Sequence, residues 1–274
     1  MVNVTVACSP DADDLFMMRA LLDGAIDTED VAFTIETVDT DALNRLASGE
    51  GADVSAISMA WYPRIASHYL LLPHGGSVGE GYGPVVVAQQ PKTLGDLRGL
   101  RVAVPGLTTT AYAVLRSLLD FEPVVTPITP YTRIFEALRA GEVDAGLIIH
   151  EGRLTYEDEG FNRVIDLGEA WSAATGGLPL PLGANAIHRR LGPARIAQVS
   201  RLLRASIAHA LDHREAAIDW LLARGGALGT RALVDRYLSM YANARTLDYG
   251  PDGRHAVGVL LRRLGWDGEP EFSP

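Results

Sequence analysis

The 274-residue chain is 47% hydrophobic, enough to bury a sizeable core, which excludes a disordered or disulfide-stapled protein. Its 34 acidic and 24 basic residues leave a net charge of −10, which argues against a protein that grips nucleic-acid phosphates. The single cysteine, Cys8, rules out an internal disulfide, paired-thiol redox chemistry and a cysteine metal cluster. At roughly 150 residues per domain the length predicts two domains or one large α/β domain. No apolar run approaches the ~18 residues of a spanning helix, and the opening MVNVTVACSPDADD has neither a basic segment nor a long apolar one. The expectation is a cytoplasmic chain with no membrane and no nucleic-acid partner.

In chain order, Val2, Val4 and Val6 alternate with smaller or polar residues as a strand does, and SPDADD then breaks the pattern before the apolar run LFMMRALL, a helix. VAFTIETV (31–38) reads as a second strand and DTDALNRLASGE as a helix stopped by Gly49. DVSAIS (53–58) is a short strand, MAWYPRIAS a turn or short helix, and YLLL (69–72) and PVVVAQ (84–89) further strands. The glycine-rich stretch 74–84 reads as a flexible connection. It lacks the Lys-Ser/Thr of a phosphate loop.

A second α/β series begins near residue 90: RVAVPG (101–106), the helix TTTAYAVLRSLLD, the strand PVVTPI, the helix YTRIFEALRAGE, and the strand VDAGLIIH (143–150) ending on His150. After LPLPLGANAI (178–187) almost only helical patterns remain, with apolar faces at Leu202, Ile207 and Leu211 that could cover their own lobe or a second subunit. The prediction is an α/β, two-lobed fold, one lobe from residues 1–88 plus 188–274 and the other from 89–187, with a cleft between them. Ligands of open α/β sheets bind beyond the carboxyl ends of strands, which directs attention to 9–14, 55–59, 105–110 and 150–152.

Within those loops, Thr108, Thr109 and Thr110 lie between a strand end and a helix start, where free N–H groups attract a carboxylate; capping by one threonine is the plainer alternative. Ser55 and Ser58 could offer hydroxyls to the same cleft. His150 is delivered by an apolar strand and can accept a proton near neutral pH, although a purely structural histidine is the plainer reading of that position taken alone. No HExxH motif is present, and Asp11, Asp13 and Asp14 lack the pattern of a calcium loop, so no metal is expected. Asp13 or Asp14 fits better as a helix cap or as a partner for a substrate hydroxyl.

The segments SPDADDLFM, DALNRLASGE, VSAISMAWYP, HGGSVGEGYGPVVVA, RVAVPGLTTTAY, GEVDAGLIIHEGRLTY and TGGLPLPLGAN together resemble the 1,4-dihydroxy-6-naphthoate synthase family of the futalosine route to menaquinone. The resemblance covers nearly the whole chain, and GLIIHEGRLTY and LPLPLG are its most specific parts. It implies a fold like the type II periplasmic solute-binding proteins, used as a carbon–carbon lyase on cyclic dehypoxanthine futalosine with no metal or organic cofactor. It also implies His150 as the proton acceptor, with substrate-binding positions at Ala56, Ile57, Ser58, Thr109, Thr110, Asp14 and Asn44. A lysine found in some members is Ala56 here, and Asp11 and Asp13 depart from the SPCPND form of others. The expected partner is a small carboxylate-bearing substrate, bound by a monomer or homodimer. The competing readings are chorismate dehydratase of the same route and a non-catalytic carboxylate-binding protein of the same architecture.

Overall fold

A computed structural model describes residues 1–274. The alternating valines at the start form β1 (Val2–Cys8), which pairs in parallel with β2 (Val31–Thr37) and β3 (Val54–Ser58). Two short strands, β4 (Tyr69–Leu71) and β5 (Ser77–Gly79), then join this first sheet through its long final strand. The second sheet collects β6 (Val85–Ala88), β7 (Arg101–Val104), β8 (Val124–Pro127), β9 (Ala145–Ile148) and β10 (Asn162–Asp166), in the order β10-β6-β9-β7-β8. The chain returns as β11 (Leu180–His188), antiparallel to β3, β4 and β5, and completes the order β2-β1-β3-β11-β4.

Two sheets joined by two crossings make two lobes, but the crossings fall earlier than the expected 88/89 and 187/188. Because β6 pairs with β9 and β10, the chain has left the first lobe between Gly79 and Val85; because β11 pairs with β3 from Gly183 onward, it has come back by Leu180. An apolar run such as VVVA fits a buried strand of either sheet, so periodicity could not assign it. The stretch 74–84 is also corrected from a flexible connection: Ser77–Gly79 is β5, and a Cβ at Gly75 or Gly83 would strike Asn185 or the Gly168 backbone.

The helices of the first lobe begin with α1 (Ala12–Leu22) and α2 (Thr40–Ser48). Those of the second are α3 (Thr110–Leu118), α4 (Arg133–Arg139), the single turn α5 (Gly152–Thr155) and α6 (Leu167–Thr175). The C-terminal set is α7 (Gly192–Asp212), α8 (Arg214–Ala223), α9 (Arg231–Tyr241), α10 (Ala244–Leu247) and α11 (Gly250–Arg263). It covers the first lobe: Leu202, Leu203 and Ile207 of α7 bury against Val4, Val6, Met17 and Met18, while Phe16 of α1 packs with Ile218, Tyr237 and Leu238. That packing fixes α9, and with it Tyr237, over the cleft. No helix is long and apolar enough to cross a membrane.

Near the crossing, Gly168 at the start of α6 lies directly against the Tyr82 carbonyl, so an added Cβ would collide with backbone. Gly168→Ala is expected to destabilise the protein by about 1–3 kcal/mol. Urea unfolding of the two proteins, with an unchanged slope and a lower midpoint, measures it.

Candidate active site

The cleft between the lobes contains a cavity of about 100 Å³, below the ~300–1,000 Å³ usual for a small-molecule site. Its lining is part apolar (Leu43, Ile57, Ile149, Leu182, Tyr241) and part polar (Ser9, Asp13, Asp14, Thr40, Ser58, Ser77, His150, Arg153, Tyr237). Behind Thr40 and Ile149, which line both, a second cavity of about 400 Å³ runs past Asp11, Tyr131, Glu151 and Arg224.

His150 lines the first cavity. The strand expected to run to 150 stops at Ile148, and His150 then takes φ = 49°, a left-handed conformation that histidine adopts more readily than bulky or branched residues but still at a cost of order 1 kcal/mol. The turn swings the imidazole from the second lobe onto the first. Its Nε2 lies 3.2 Å from Thr40 Oγ1 and 3.4 Å from Asp11 Oδ2, and its Nδ1 lies 3.4 Å from the Tyr237 hydroxyl. Tyr237 donates to Asp13 Oδ1 at 3.1 Å, and Ser77 donates to Asp13 Oδ2 at 2.7 Å. Burial pulls the His150 pKa down, but Asp11, Asp13, Glu151 and Asp14 outweigh it and raise the value above that of a free imidazole.

The neighbouring carboxylates join the lobes. Glu151 accepts from the Ala12 N–H at 3.0 Å, at the first turn of α1, and from the Tyr131 hydroxyl at 2.8 Å. Asp41 of α2 accepts from the Thr108 N–H and hydroxyl of the second lobe at 3.2 and 2.7 Å. Arg153 is the one cation lining the first cavity, and its charge is matched by the fully buried Asp166 at 2.6 Å.

The residues expected to bind substrate divide into two groups. Ala56, Ile57 and Ser58 line the cavity, as do Thr109, Thr110 and Asp14, whereas Asn44 is fully buried behind it. Asn44 Nδ2 donates to Ser58 Oγ at 3.0 Å and Thr108 Oγ1 at 2.8 Å, and its Oδ1 accepts from the Ser58 N–H at 2.8 Å. It positions Ser58, whose own proton remains available to an oxygen in the cavity. The threonine hydroxyls are committed elsewhere. Thr109 caps α3, accepting from Tyr112 N–H and donating to the Gly106 carbonyl; Thr110 donates to the Leu182 carbonyl at 2.6 Å and accepts from Ala60 N–H. What faces the cavity is the start of α3, where the N–H groups of Thr110 and Ala111 have no partner within the helix. Asp14 accepts from the Ser9 N–H at 2.6 Å. Ser55 points away, donating to the Ala56 carbonyl.

Thr40, Ser77, Arg153 and Tyr237 were not anticipated. Arg153 stands in the GRLTY stretch singled out above, but Tyr237 belongs to a helix whose spacing shows only an apolar face. On the outside of the first lobe, ligand atoms of Glu50, His68 and His188 lie within 4.8 Å of one another. His188 Nδ1 accepts from Arg190 N–H, which leaves the ring proton on Nε2, pointing at Glu50 2.9 Å away. That is a hydrogen bond rather than a metal-ligand set.

Burial raises the Asp11 and Asp14 carboxyls to about 7, far above the ordinary ~3.9. The folded chain therefore holds these protons more tightly than the unfolded chain, and the stability this confers is lost as pH rises through about 7. The raised His150 acts in the same sense, losing its contribution as pH rises through its folded value. His74, lowered to about 4 by burial, opposes them only below the ordinary imidazole value near ~6.5. Thermal melts are expected to show stability falling from pH 6.5 to pH 8, with a shallower fall in Asp14→Asn.

The family described as menaquinone biosynthesis matches residues 4–265. A 1,4-dihydroxy-6-naphthoate synthase of Thermus thermophilus is 40% identical over 100% of this chain and 98% of its own length. One of Streptomyces coelicolor is 36% identical over 99% of this chain and 96% of its own. Among solved structures, a crystal structure from Archaeoglobus fulgidus superposes with a TM-score of 0.84 at 40% identity, covering 95% of this chain and 96% of that one. A Candida albicans protein described as having the generic periplasmic binding protein fold gives 0.67 at 12% identity, over 100% and 98%, a likeness of fold alone. The two sheets, the two crossings and the cleft are those of a periplasmic-binding-protein-like fold, and the chain belongs to the menaquinone-biosynthesis family.

Proposed function

We propose that the chain is a carbon–carbon lyase that converts cyclic dehypoxanthine futalosine to 1,4-dihydroxy-6-naphthoate, with His150 as the base. The observation that carries this reading is the position of His150: an imidazole set in a left-handed turn at the cavity wall, with carboxylates around it and no cation in contact with it. The two full-length relatives, both named as this synthase, support the activity.

The substrate carboxylate docks on the first N–H groups of α3, whose dipole favours an anion. Ser58 donates its free proton to a substrate carbonyl or hydroxyl oxygen, and Leu43, Ile57, Ile149 and Leu182 flank the flat ring system. His150 then removes the proton that starts cleavage; the electron pair of that C–H bond forms a ring double bond, the C–C bond breaks with its pair leaving on the sugar-derived fragment, which takes the proton back from the imidazolium, and the ring aromatises. Aromatisation drives the step, so the protein needs one placed base and a cleft that excludes water. Asp14, Ala56 and Asn44 hold the wall in shape.

His150→Ala removes a side chain that is not part of the apolar core. It is expected to keep its thermal midpoint within a few degrees and to lose about 10²–10⁴-fold in naphthoate formation. A rate near that of the wild type would take His150 out of the mechanism.

A further inference from the structure

The protons around His150 decide which of its ring nitrogens is the base. Tyr237 has one hydroxyl proton, and it goes to Asp13 Oδ1 at 3.1 Å. Facing Nδ1 at 3.4 Å, the phenol oxygen can therefore only accept, so Nδ1 carries the ring proton. Nε2 keeps the lone pair. Its hydrogen-bond partner is the Thr40 hydroxyl at 3.2 Å, which can donate or accept and so imposes no tautomer of its own. Asp11 Oδ2 comes within 3.4 Å of Nε2 without making a hydrogen bond and acts through its charge. His150, Tyr237 and Thr40 all line the first cavity. Tyr237 is firmly held there: it is 1% exposed, it packs with Phe16, Ile218 and Leu238, and its partner Asp13 is fixed on the other oxygen by Ser77 at 2.7 Å. Burial and the carboxylates nearby hold the phenol neutral, so the direction of this chain of bonds does not reverse.

We propose that Tyr237 is a positioning residue for the base, accepting the Nδ1 proton of His150 while donating its own to Asp13, so that Nε2 is the nitrogen that takes the substrate proton. A carboxylate that orients a catalytic imidazole through Nδ1–H is a known arrangement; here a phenol stands between the two. When Nε2 takes the substrate proton, the C–H electron pair stays with the substrate, the ring becomes imidazolium, and the bond from Nδ1–H to a phenol oxygen polarised by Asp13 strengthens. A hydroxyl turns about a single bond, so Thr40 yields Nε2 to the substrate without any movement of α2. The 3.4 Å separation between Nδ1 and Tyr237 is long for such a bond, and catalytic hydrogen bonds tighten in the substrate complex. The other titratable groups facing the ring are Asp11 before α1, Asp13 and Asp14 on α1, Glu151 next in the chain, and the Tyr131 phenol, whose ring centre lies 5.5 Å from that of the imidazole. None of these hydrogen-bonds to Nδ1, which leaves Tyr237 as the group that sets the tautomer.

The chemical step rests on the lyase reading, so the test has one arm that does not. Long-range ¹H–¹⁵N spectra of histidine-labelled protein, taken above the pH at which His150 titrates, report its neutral tautomer without substrate, and the signals missing from His150→Ala identify the residue. The expected result is the Nδ1–H tautomer in the wild type, against the Nε2–H preference of a free histidine side chain, and a shift toward Nε2–H in Tyr237→Phe, which keeps the ring and removes the acceptor. In the kinetic arm, Tyr237→Phe loses at least about ten-fold in kcat with little change in KM. An Nε2–H tautomer in the wild type overturns the proposal, and this result needs no variant to fold. So does a Tyr237→Phe protein that keeps Nδ1–H, whatever its rate, because the phenol is then only part of the packing, and so does one whose tautomer shifts while kcat stays at the wild-type value. Absence of turnover in the wild type defeats the lyase reading and leaves the spectroscopic arm to decide on Tyr237.

Discussion

Everything at the cleft depends on one imidazole carried by the second lobe and surrounded by carboxylates of the first. Isolated in a dry pocket, His150 would lose basicity; four acidic groups reverse that and hold it above its ordinary value. Three of them stand where β1 gives way to α1, Asp11 just before the helix and Asp13 and Asp14 in its first turn, while His150 and Glu151 follow β9. The carboxylates that raise the imidazole therefore come from both lobes.

One apolar cluster runs from Ile57, Met59 and Tyr62 of the first lobe to Ala111, Val114 and Leu115 of the second, and polar contacts join the lobes beside it. Asp41 and Asn44 of α2 grip Thr108, Glu151 reaches across to the first turn of α1, and Thr110 ties α3 to β11 near the crossing. Polar contacts of this kind exchange readily for water, each contributing only about 1 kcal/mol net. Gly106 belongs to the same device: a side chain there would run into Asp41, so the second lobe could not approach α2. The two-lobed fold supplies the cleft, and side chains of both lobes line it.

Much of this was legible in the sequence. The alternation of strands and helices, the two series, the helical C-terminal set and His150 at a strand end are all carried by local pattern, and GLIIHEGRLTY brought the family with it. The crossings were misplaced because Val85–Ala88 is equally apolar whichever sheet it joins. β5, β10 and α6 were missed because short elements bounded by glycine have no periodicity to read. At the site, residue identity was a better guide than residue role. Thr109 and Thr110 reach the cavity wall, yet their hydroxyls are spent on a helix cap and on Leu182; Asn44 matters through Ser58 and Thr108 rather than by facing the cavity. Tyr237 could not have been found, since nothing in a helix some ninety residues downstream marks which face will close over the histidine.

The most direct measurement is a single-turnover incubation of the purified protein, in excess, with cyclic dehypoxanthine futalosine, the quenched mixture being analysed by mass. The account predicts 1,4-dihydroxy-6-naphthoate and the sugar-derived fragment in equal amounts. Recovery of the compound bound but unchanged would contradict it and return the cleft to the role of a solute receptor.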